Sequence, residues 1–441
     1  MKQEPHVTVI DKPCGTGKTN AMIAGFKHGQ RYLVVTPLLS EVERIIKQSE
    51  VPFVTPSDEH HRGKKGSIYD QVEAGFNIVT THSLFTDLAE MCANGWFDEY
   101  EIIIDEVLDC VSEAVFKESD GKKKMSVDSF YRVFVEEGEW ASVGGDGKVS
   151  PTTKWKAEHA TATPALASGS DIYSMAKAGC LYIVDHSFFL WSLPPQLLKA
   201  GRSVTVLTYL GEGSLLLPYL RKAEIAYRHV VDSAADLAFR IKAKELIEVL
   251  TIGSLEDFGW SFTKQTSSAG ALEGSKKITK RERDEKITEA LKRLRTKTLR
   301  NVPSAEIIVT CAKSNWYLDG RSDGNNVKAG PYAKRSTLFG SDVWLPTVTR
   351  GTNKYAHRSH AIYLHDMYPN PYVLRWLGLP KGMEDSFAIT ELVQWLYRTR
   401  VRRRQPIKVY IPSHRMRRLL RSWLNAEDLF GVDGLAAKEA A

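Results

Sequence analysis

The sequence predicts an α/β protein with two successive regions of alternating strands and helices, each building a parallel sheet with covered faces. Three observations predict it. Short apolar runs of strand length recur, end in polar residues, and are followed by helix-period segments. A glycine-rich turn, Pro13-Cys14-Gly15-Thr16-Gly17-Lys18-Thr19, joins the first run to the first helix. An acidic pair, Asp105-Glu106, ends a later run, Ile102 to Ile104. In parallel sheets ligands bind at the carboxyl ends of the strands, where these polar residues fall.

The elements follow in order. Val7 to Ile10 is the first strand, and a helix begins near Lys18. Tyr32 to Thr36 is a second strand, ending in Thr36-Pro37 and followed by a helix through Val42 to Ile46. Asn77 to Thr80 is a third, ending in Thr80-Thr81-His82-Ser83, with a helix through Leu84 to Met91. After Asp105-Glu106 the pattern loosens. The charged stretch Lys117 to Lys124 and the glycines of Gly144 to Gly147 read as an insertion or an exposed hairpin. Order returns at Leu181 to Val184, which ends in Asp185-His186, then at Ser203 to Leu207 and Ile225 to Val231. A second half starts around Gly211 to Ser214. Ser254 to Lys280 is rich in Ser, Gly, Lys and Thr and leads into a charged helix, Arg281 to Arg295. Strands follow at Glu306 to Thr310, Ala361 to Leu364 and Ile407 to Ile411. Between the last two lies an amphipathic helix, Ile389 to Tyr397. Ser413 is placed to cap a final helix through Leu424.

Composition bounds the class. At 441 residues the chain exceeds one ordinary domain, and two or three are expected. With 43% hydrophobic and 26% charged residues it has material for large cores. The net charge of +7 is a mild excess that matters only where it is clustered. Five cysteines without CxxC spacing argue against a disulfide framework or a zinc site and fit a reducing compartment. No leader or long apolar span is expected, so no membrane partner is expected either.

The chemistry of the first motif is that of a phosphate cradle. Gly15 and Gly17 let backbone N–H groups curl around an anion, and the helix N-terminus adds positive potential. Lys18 would reach the β- and γ-phosphates of ATP, and the Thr19 hydroxyl would hold Mg²⁺. The plain alternative is a tight turn opening a helix. Lys12 stands where the full pattern has glycine. The same helix N-terminus predicts a lowered pKa for the Cys14 thiol. Asp105 would bind the Mg²⁺ shell, and Glu106 would orient or deprotonate an attacking water.

A third cluster is basic. Gln394-Trp395-Leu396-Tyr397-Arg398-Thr399-Arg400-Val401-Arg402-Arg403-Arg404 is followed by Lys408, Arg415, Arg417, Arg418 and Arg421 without an intervening acid. These arginines would contact a γ-phosphate, grip a nucleic-acid backbone, or form a solvated basic face. Trp316, Tyr332, Trp344 and Tyr355 lie near basic residues and read either as base-stacking platforms or, more often, as core.

Taken in order, these motifs resemble those of superfamily 2 helicases of the DExx type, particularly compact versions encoded by phages. Pro13 to Thr19 is similar to motif I, Thr36-Pro37 to motif Ia, and Thr80 to Ser83 to the next strand-end motif. Asp105-Glu106-Val107-Leu108 is similar to motif II, and Thr208-Tyr209-Leu210 stands at the place of motif III. Ile307 to Ser314, Thr349-Arg350-Gly351-Thr352-Asn353 and Gln394 to Arg402 resemble motifs IV, V and VI. There are departures. Tyr397 replaces the glycine of motif VI, and Val401 stands at its second arginine, so Arg400 or Arg402 takes that role through a one-residue shift.

The resemblance implies two tandem RecA-like parallel-sheet lobes with loop and helical insertions. Lobe 1 would span 1–212 with an insertion near 112–175, and lobe 2 would span 213–441 with an insertion near 254–300. It implies ATP and Mg²⁺ as ligands. Catalytic roles fall to Lys18, Asp105, Glu106, Gln394, Arg398 and Arg400 or Arg402. Contacts to nucleic acid fall to Thr36, Pro37, Thr81, His82, Thr349, Arg350 and Asn353. The expected activity is an ATP-dependent helicase or translocase on single-stranded or branched DNA in phage replication or recombination, beside proteins of those processes, in the host cytoplasm. The few residues before the first strand leave no room for an upstream adenine-reading glutamine motif, which tilts the track toward DNA, with RNA as the alternative. Four other readings stand beside it. They are a nucleic-acid-stimulated ATPase that remodels without unwinding, a decayed nucleic-acid-binding module, a small-molecule P-loop kinase, and, from Asp185-His186, a metal nuclease.

Overall fold

The computed structural model describes residues 5–117, 123–159, 170–267, 271–273, 276–318, 327–333, 339, 343–349, 351–380 and 382–427. Lobe 1 is built on a seven-stranded sheet. Its members are β1 (Val7–Asp11), β2 (Arg31–Thr36), β3 (Phe53–Val54), β4 (Asn77–Thr81), β5 (Tyr100–Asp105), β11 (Ser203–Thr208) and β12 (Tyr227–Val231). Their spatial order is β12-β1-β11-β5-β2-β4-β3, and every pairing is parallel. The β-branched runs of β1, β5 and β11 suit a sheet buried on both faces. Val7, Val9, Ile102, Ile104, Val204 and Val206 are all essentially inaccessible.

The expected division at 212/213 cuts this sheet. The Leu216–Lys222 helix buries Leu216, Leu217, Tyr219 and Leu220 in the lobe 1 core, and β12 pairs in register with β1 through Val7 and Tyr227. Lobe 1 therefore continues to Val231. The Ser233–Leu246 helix then crosses to the second core, where Ala243 is buried.

The lobe 1 insertion also outruns its expected end at 175. The strand at Leu181–Val184 (β9) lies outside the main sheet. It pairs antiparallel with β10 (Phe188–Ser192), which pairs with β6 (Val111–Glu113). Asp185 and His186, both with left-handed φ near 50°, turn the chain back and make a hairpin of what reads as an ordinary strand end. A second hairpin, β7 (Ala141–Val143) with β8 (Val149–Pro151), carries the glycine-rich turn. Phe116, Phe130, Trp155 and Phe189 form the insertion's own core.

Lobe 2 holds a four-stranded parallel sheet in the order β13-β18-β17-β16. Its strands are β13 (Ile247–Leu250), β16 (Ile307–Thr310), β17 (His360–Tyr363) and β18 (Ile407–Tyr410). Between β13 and β16 lie a short hairpin, β14 (Ala271–Glu273) with β15 (Lys276–Ile278), and the charged Lys280–Arg293 helix. Thr279 opens that helix with a reciprocal capping box to Glu282. Ser413 caps the final His414–Leu424 helix as expected, accepting from Met416 N–H. The fold class is thus two tandem parallel-sheet lobes with insertions, as the strand–helix alternation predicts.

The lobes touch in two places. On one side the Pro371–Trp376 helix of lobe 2 docks on the lobe 1 insertion. Tyr372 stacks on Phe188 with ring centroids 4.7 Å apart, Trp376 meets Tyr182 edge-on, and Val373 and Leu377 enter the lobe 1 core. On the other side lies a polar cleft. Among the described residues, no helix is long and apolar enough to cross a membrane.

Candidate active site

A cleft of about 490 Å³ opens between the carboxyl ends of β1 and β5 and the Met383–Leu396 helix of lobe 2. Cys14, Gly15, Gly17, Lys18, Thr19, Asp105, Glu106, Gly351, Asn353, Gln394, Arg398 and Arg402 all line it. Residues nearly four hundred positions apart in sequence are thereby brought to one surface.

The glycine turn has the backbone that a phosphate cradle would need. Gly15 and Gly17 adopt φ of 75° and 82°, a region that favours glycine. The Lys18–Ala24 helix starts directly after Gly17. The Lys18 ammonium folds back onto the Lys12 carbonyl at 2.6 Å, a contact that an incoming phosphate would replace. Thr19 donates its hydroxyl to Asp105 Oδ2 at 3.1 Å, so the two Mg²⁺ donors expected from sequence stand side by side. A hydroxyl and one carboxylate are a donor set that suits Mg²⁺ when water and phosphate complete the octahedron. Burial, reinforced by the neighbouring Glu106 charge, raises the Asp105 carboxyl to about 6, and a divalent cation would reverse that shift.

Glu106 stands at the meeting point of the lobes. It occupies the left-handed region at φ 66°, which is uncommon outside glycine. Its Oε1 accepts from Arg398 Nη2 at 3.0 Å, and its Oε2 accepts from the Gly351 backbone N–H at 2.9 Å. Arg398 is buried, with a side chain only 4% exposed. Gln394 donates to the Tyr209 carbonyl at 3.0 Å, tying the same lobe 2 helix to the end of β11. Gly351 admits no side chain. At φ 67° its missing Cβ would lie 2.7 Å from Pro37 Cγ. Motif-like segments of both lobes are therefore in van der Waals contact here.

Other expected residues fall elsewhere. Arg400 turns away from the cleft, donating to the Pro406 carbonyl at 2.6 Å and facing Glu306 at 3.9 Å. The one-residue shift thus leaves Arg402 as the second arginine of the 398–404 run to line the cleft, its Cγ about a van der Waals contact from where a Gly15 Cβ would be. Thr36 is fully buried and donates to the Leu38 carbonyl, so its hydroxyl is committed inside lobe 1. Thr81 caps the short His82–Thr86 helix, and His82 Nε2 donates to the Asp105 carbonyl at 2.9 Å. Thr349 donates to the Pro346 carbonyl at 2.7 Å. Asn353 is exposed at the cleft rim. Arg350 lies outside the described residues.

Two further expectations are corrected, and of the two readings left open for the aromatics, Trp316 and Tyr332 take the core one. The Cys14 thiol is raised rather than lowered, because burial outweighs the pull of Lys18 and Arg398. Trp316 and Tyr332 are core residues, each 2% exposed, and offer no stacking platform. Much of the distal arginine run is pinned by lobe 2 itself. Arg415 bonds Asp366 and Asp385 at 2.7 Å each, Arg417 bonds Glu256 at 2.8 Å, and Arg418 bonds Asp385 at 2.8 Å. Sequence reasoning also missed the cleft group Asn20, Glu41 and Arg44. Arg44 bridges the other two at 2.7 Å and 2.6 Å. The i,i+3 spacing of Glu41 and Arg44 was the available clue.

Fold and site together define a class: a two-lobed, parallel-sheet α/β protein with a phosphate-type glycine turn and an acidic strand end facing arginines across an interlobe cleft. Residues 242–424 match the model of the YonV C-terminal Rossmann-like domain. Across nearly its whole length the chain is 26% identical, over 440 residues, to the SPbeta prophage-derived uncharacterized protein YonV of Bacillus subtilis (strain 168), covering 95% of this chain and 98% of that protein. Among solved structures it is similar to an apo XPD, with a TM-score of 0.48 at 12% identity and 92% of each chain covered. It is also similar to an XPD helicase, with a TM-score of 0.48 at 10% identity, covering 96% of this chain and 95% of that one.

Proposed function

We propose that the chain is an ATP-driven motor on nucleic acid, a helicase or translocase whose track is DNA, working in phage replication or recombination. The observation that carries this reading is Glu106 held at once by Arg398 and by the Gly351 backbone N–H, beside the Thr19–Asp105 pair. A carboxylate placed to handle water meets an arginine from the other lobe, so hydrolysis and lobe closure would be one event.

The chain's residues divide the work as follows. The Gly15–Thr19 amides and Lys18 bind and orient the phosphates. Thr19 and Asp105 would hold Mg²⁺, which when bound would offset phosphate charge. Glu106 orients the attacking water and takes its proton. Arg398, freed from Glu106 as the γ-phosphate competes for it, stabilises the equatorial oxygens together with Arg402. Gln394 reports closure through the Tyr209 carbonyl. Pro37, Thr81, His82, Thr349, Arg350 and Asn353 are the proposed track contacts. The prophage origin of the YonV relative supports the phage setting. Release of Glu106 from two partners on closure would make hydrolysis slow until the track favours the closed state.

The test is ATP hydrolysis with and without single-stranded DNA, single-stranded RNA and forked DNA, with Lys18→Ala and Glu106→Gln as controls. Stimulation by one polymer, lost in both variants, is the expected result and names the track. Hydrolysis indifferent to every polymer overturns the motor reading. Unwinding of a short forked duplex then separates a helicase from a remodelling ATPase.

A further inference from the structure

Asp11 closes β1, one residue before the glycine turn begins its approach to the cleft, and its side chain is only 8% exposed. Its carboxylate is turned toward the end of β11. Its Oδ1 accepts from Leu210 N–H at 2.9 Å and its Oδ2 from Gly211 N–H at 2.6 Å. His229 Nε2 on β12 stands 3.2 Å from the same Oδ2. Leu210 is held in the left-handed region at φ 57° and ψ 47°, a conformation that a leucine keeps only where its surroundings impose it.

The carbonyl side of this peptide segment belongs to lobe 2. Gln394 donates to the Tyr209 carbonyl and Thr390 to the Leu210 carbonyl, at 3.0 and 3.4 Å. A Cβ at Gly213 would sit 2.0 Å from Thr390 Oγ1, so the two elements meet at backbone distance. Residues 209–211 are therefore gripped through the N–H groups of Leu210 and Gly211 by the strand that leads into the glycine turn, and through the C=O groups of Tyr209 and Leu210 by the helix that ends just before Arg398.

We infer that Asp11 is a positioning residue that transmits nucleotide occupancy from the glycine turn through Leu210–Gly211 to the Met383–Leu396 helix. The inference rests on the nucleotide reading above and adds a residue that touches neither phosphate nor water. A carboxylate accepting two amide protons suits this role better than a neutral side chain, since charge-assisted bonds are short and directional. His229 fixes the carboxylate's rotamer from the far side and is itself 4.0 Å from Glu212.

The experiment is amide hydrogen exchange of the full chain with and without a non-hydrolysable ATP analogue, on wild type, Asp11→Asn, Asp11→Ala and His229→Gln. Wild type is expected to gain protection at 15–19 and at 383–396. Asp11→Ala is expected to keep the first and lose the second. Asp11→Asn, isosteric and able to fold where alanine fails, keeps one good acceptor and is expected to show partial loss. Analogue affinity stays within about twofold, while turnover in Asp11→Ala falls roughly tenfold, the size one charge-assisted hydrogen bond carries. Loss of protection at both segments, or at neither, overturns the inference. Absence of protection at 15–19 in wild type would sink the nucleotide reading itself, and the inference with it.

Discussion

The two contacts between the lobes share apolar packing, Tyr209 against Phe239 at the cleft, but only the cleft adds a largely buried ion pair and backbone hydrogen bonds across the gap. At the cleft, lobe 2 reaches lobe 1 through Arg398 to Glu106, Gly351 N–H to Glu106, and Gln394 to the Tyr209 carbonyl. On the other side, the Pro371–Trp376 helix presses Tyr372 onto Phe188 and Trp376 onto Tyr182, with Val373 and Leu377 buried in lobe 1. Polar contacts are exchangeable, because a phosphate or water can replace each partner at little net cost. Aromatic packing has no such substitute, since separation exposes its whole area to water. The difference predicts a division of labour: the aromatic side would act as the pivot and the side crossed by charged groups as the side that opens.

The sharpest way to break this comparison is at the polar side. Arg398→Ala should lower kcat for ATP hydrolysis by about a thousandfold, the lower end of what a transition-state arginine contributes. Arg400→Ala, which removes an arginine facing Glu306, should leave kcat within about twofold. Steady-state hydrolysis distinguishes them, and equal losses would mean that the cleft arginine is misassigned.

Next comes the pivot. Tyr372→Ala combined with Trp376→Ala should cost about 4 kcal/mol of stability. Urea unfolding should then split into two transitions as the lobes uncouple. A single, unshifted transition would mean that this contact holds nothing together.

Acid should act on neither contact first. His365 is buried in lobe 2, accepts from Gln265 Nε2 at 2.9 Å, and burial lowers its pKa from 6.5 to about 4. The unfolded chain takes up this proton near pH 6.5, whereas the folded chain does so only near 4. The contribution is therefore intact above pH 6.5 and is lost as pH falls through that window, by up to about 3 kcal/mol. Chemical denaturation between pH 7 and 4 should show lobe 2 weakening, with a shallower slope in His365→Gln. The smallest effect is expected at the rim of the pivot. The half-exposed pair Arg375–Asp185, 2.9 Å apart, should contribute under about 1 kcal/mol, and Asp185→Asn should barely move the unfolding midpoint.

What was legible in the sequence follows from what is local. The glycine turn, the acidic strand end and the strand–helix alternation are each written in a few adjacent residues, and the fold keeps all of them. Leu181–Val184 misled because a strand inside an antiparallel hairpin and one inside a parallel sheet share the same apolar run. Only the left-handed pair Asp185-His186 separates them. The boundary at 212 misled because β12 returns to pair with β1, a contact that joins residues 7 and 227. The orientation of Arg400 and Arg402 depends on the tight turn of residues 400–403 after the Met383–Leu396 helix. Periodicity does not describe such a turn.

Gly351 is, finally, a gauge built from a missing atom. Its backbone closes against Pro37 and Leu38 so nearly that a single methyl group would act as a wedge between the lobes. Gly351→Ala would prop the jaws ajar by roughly the overlap of that one carbon, leaving each lobe's own core untouched. Such a chain would be a mechanical stop, each lobe intact and the pair denied the last fraction of closure.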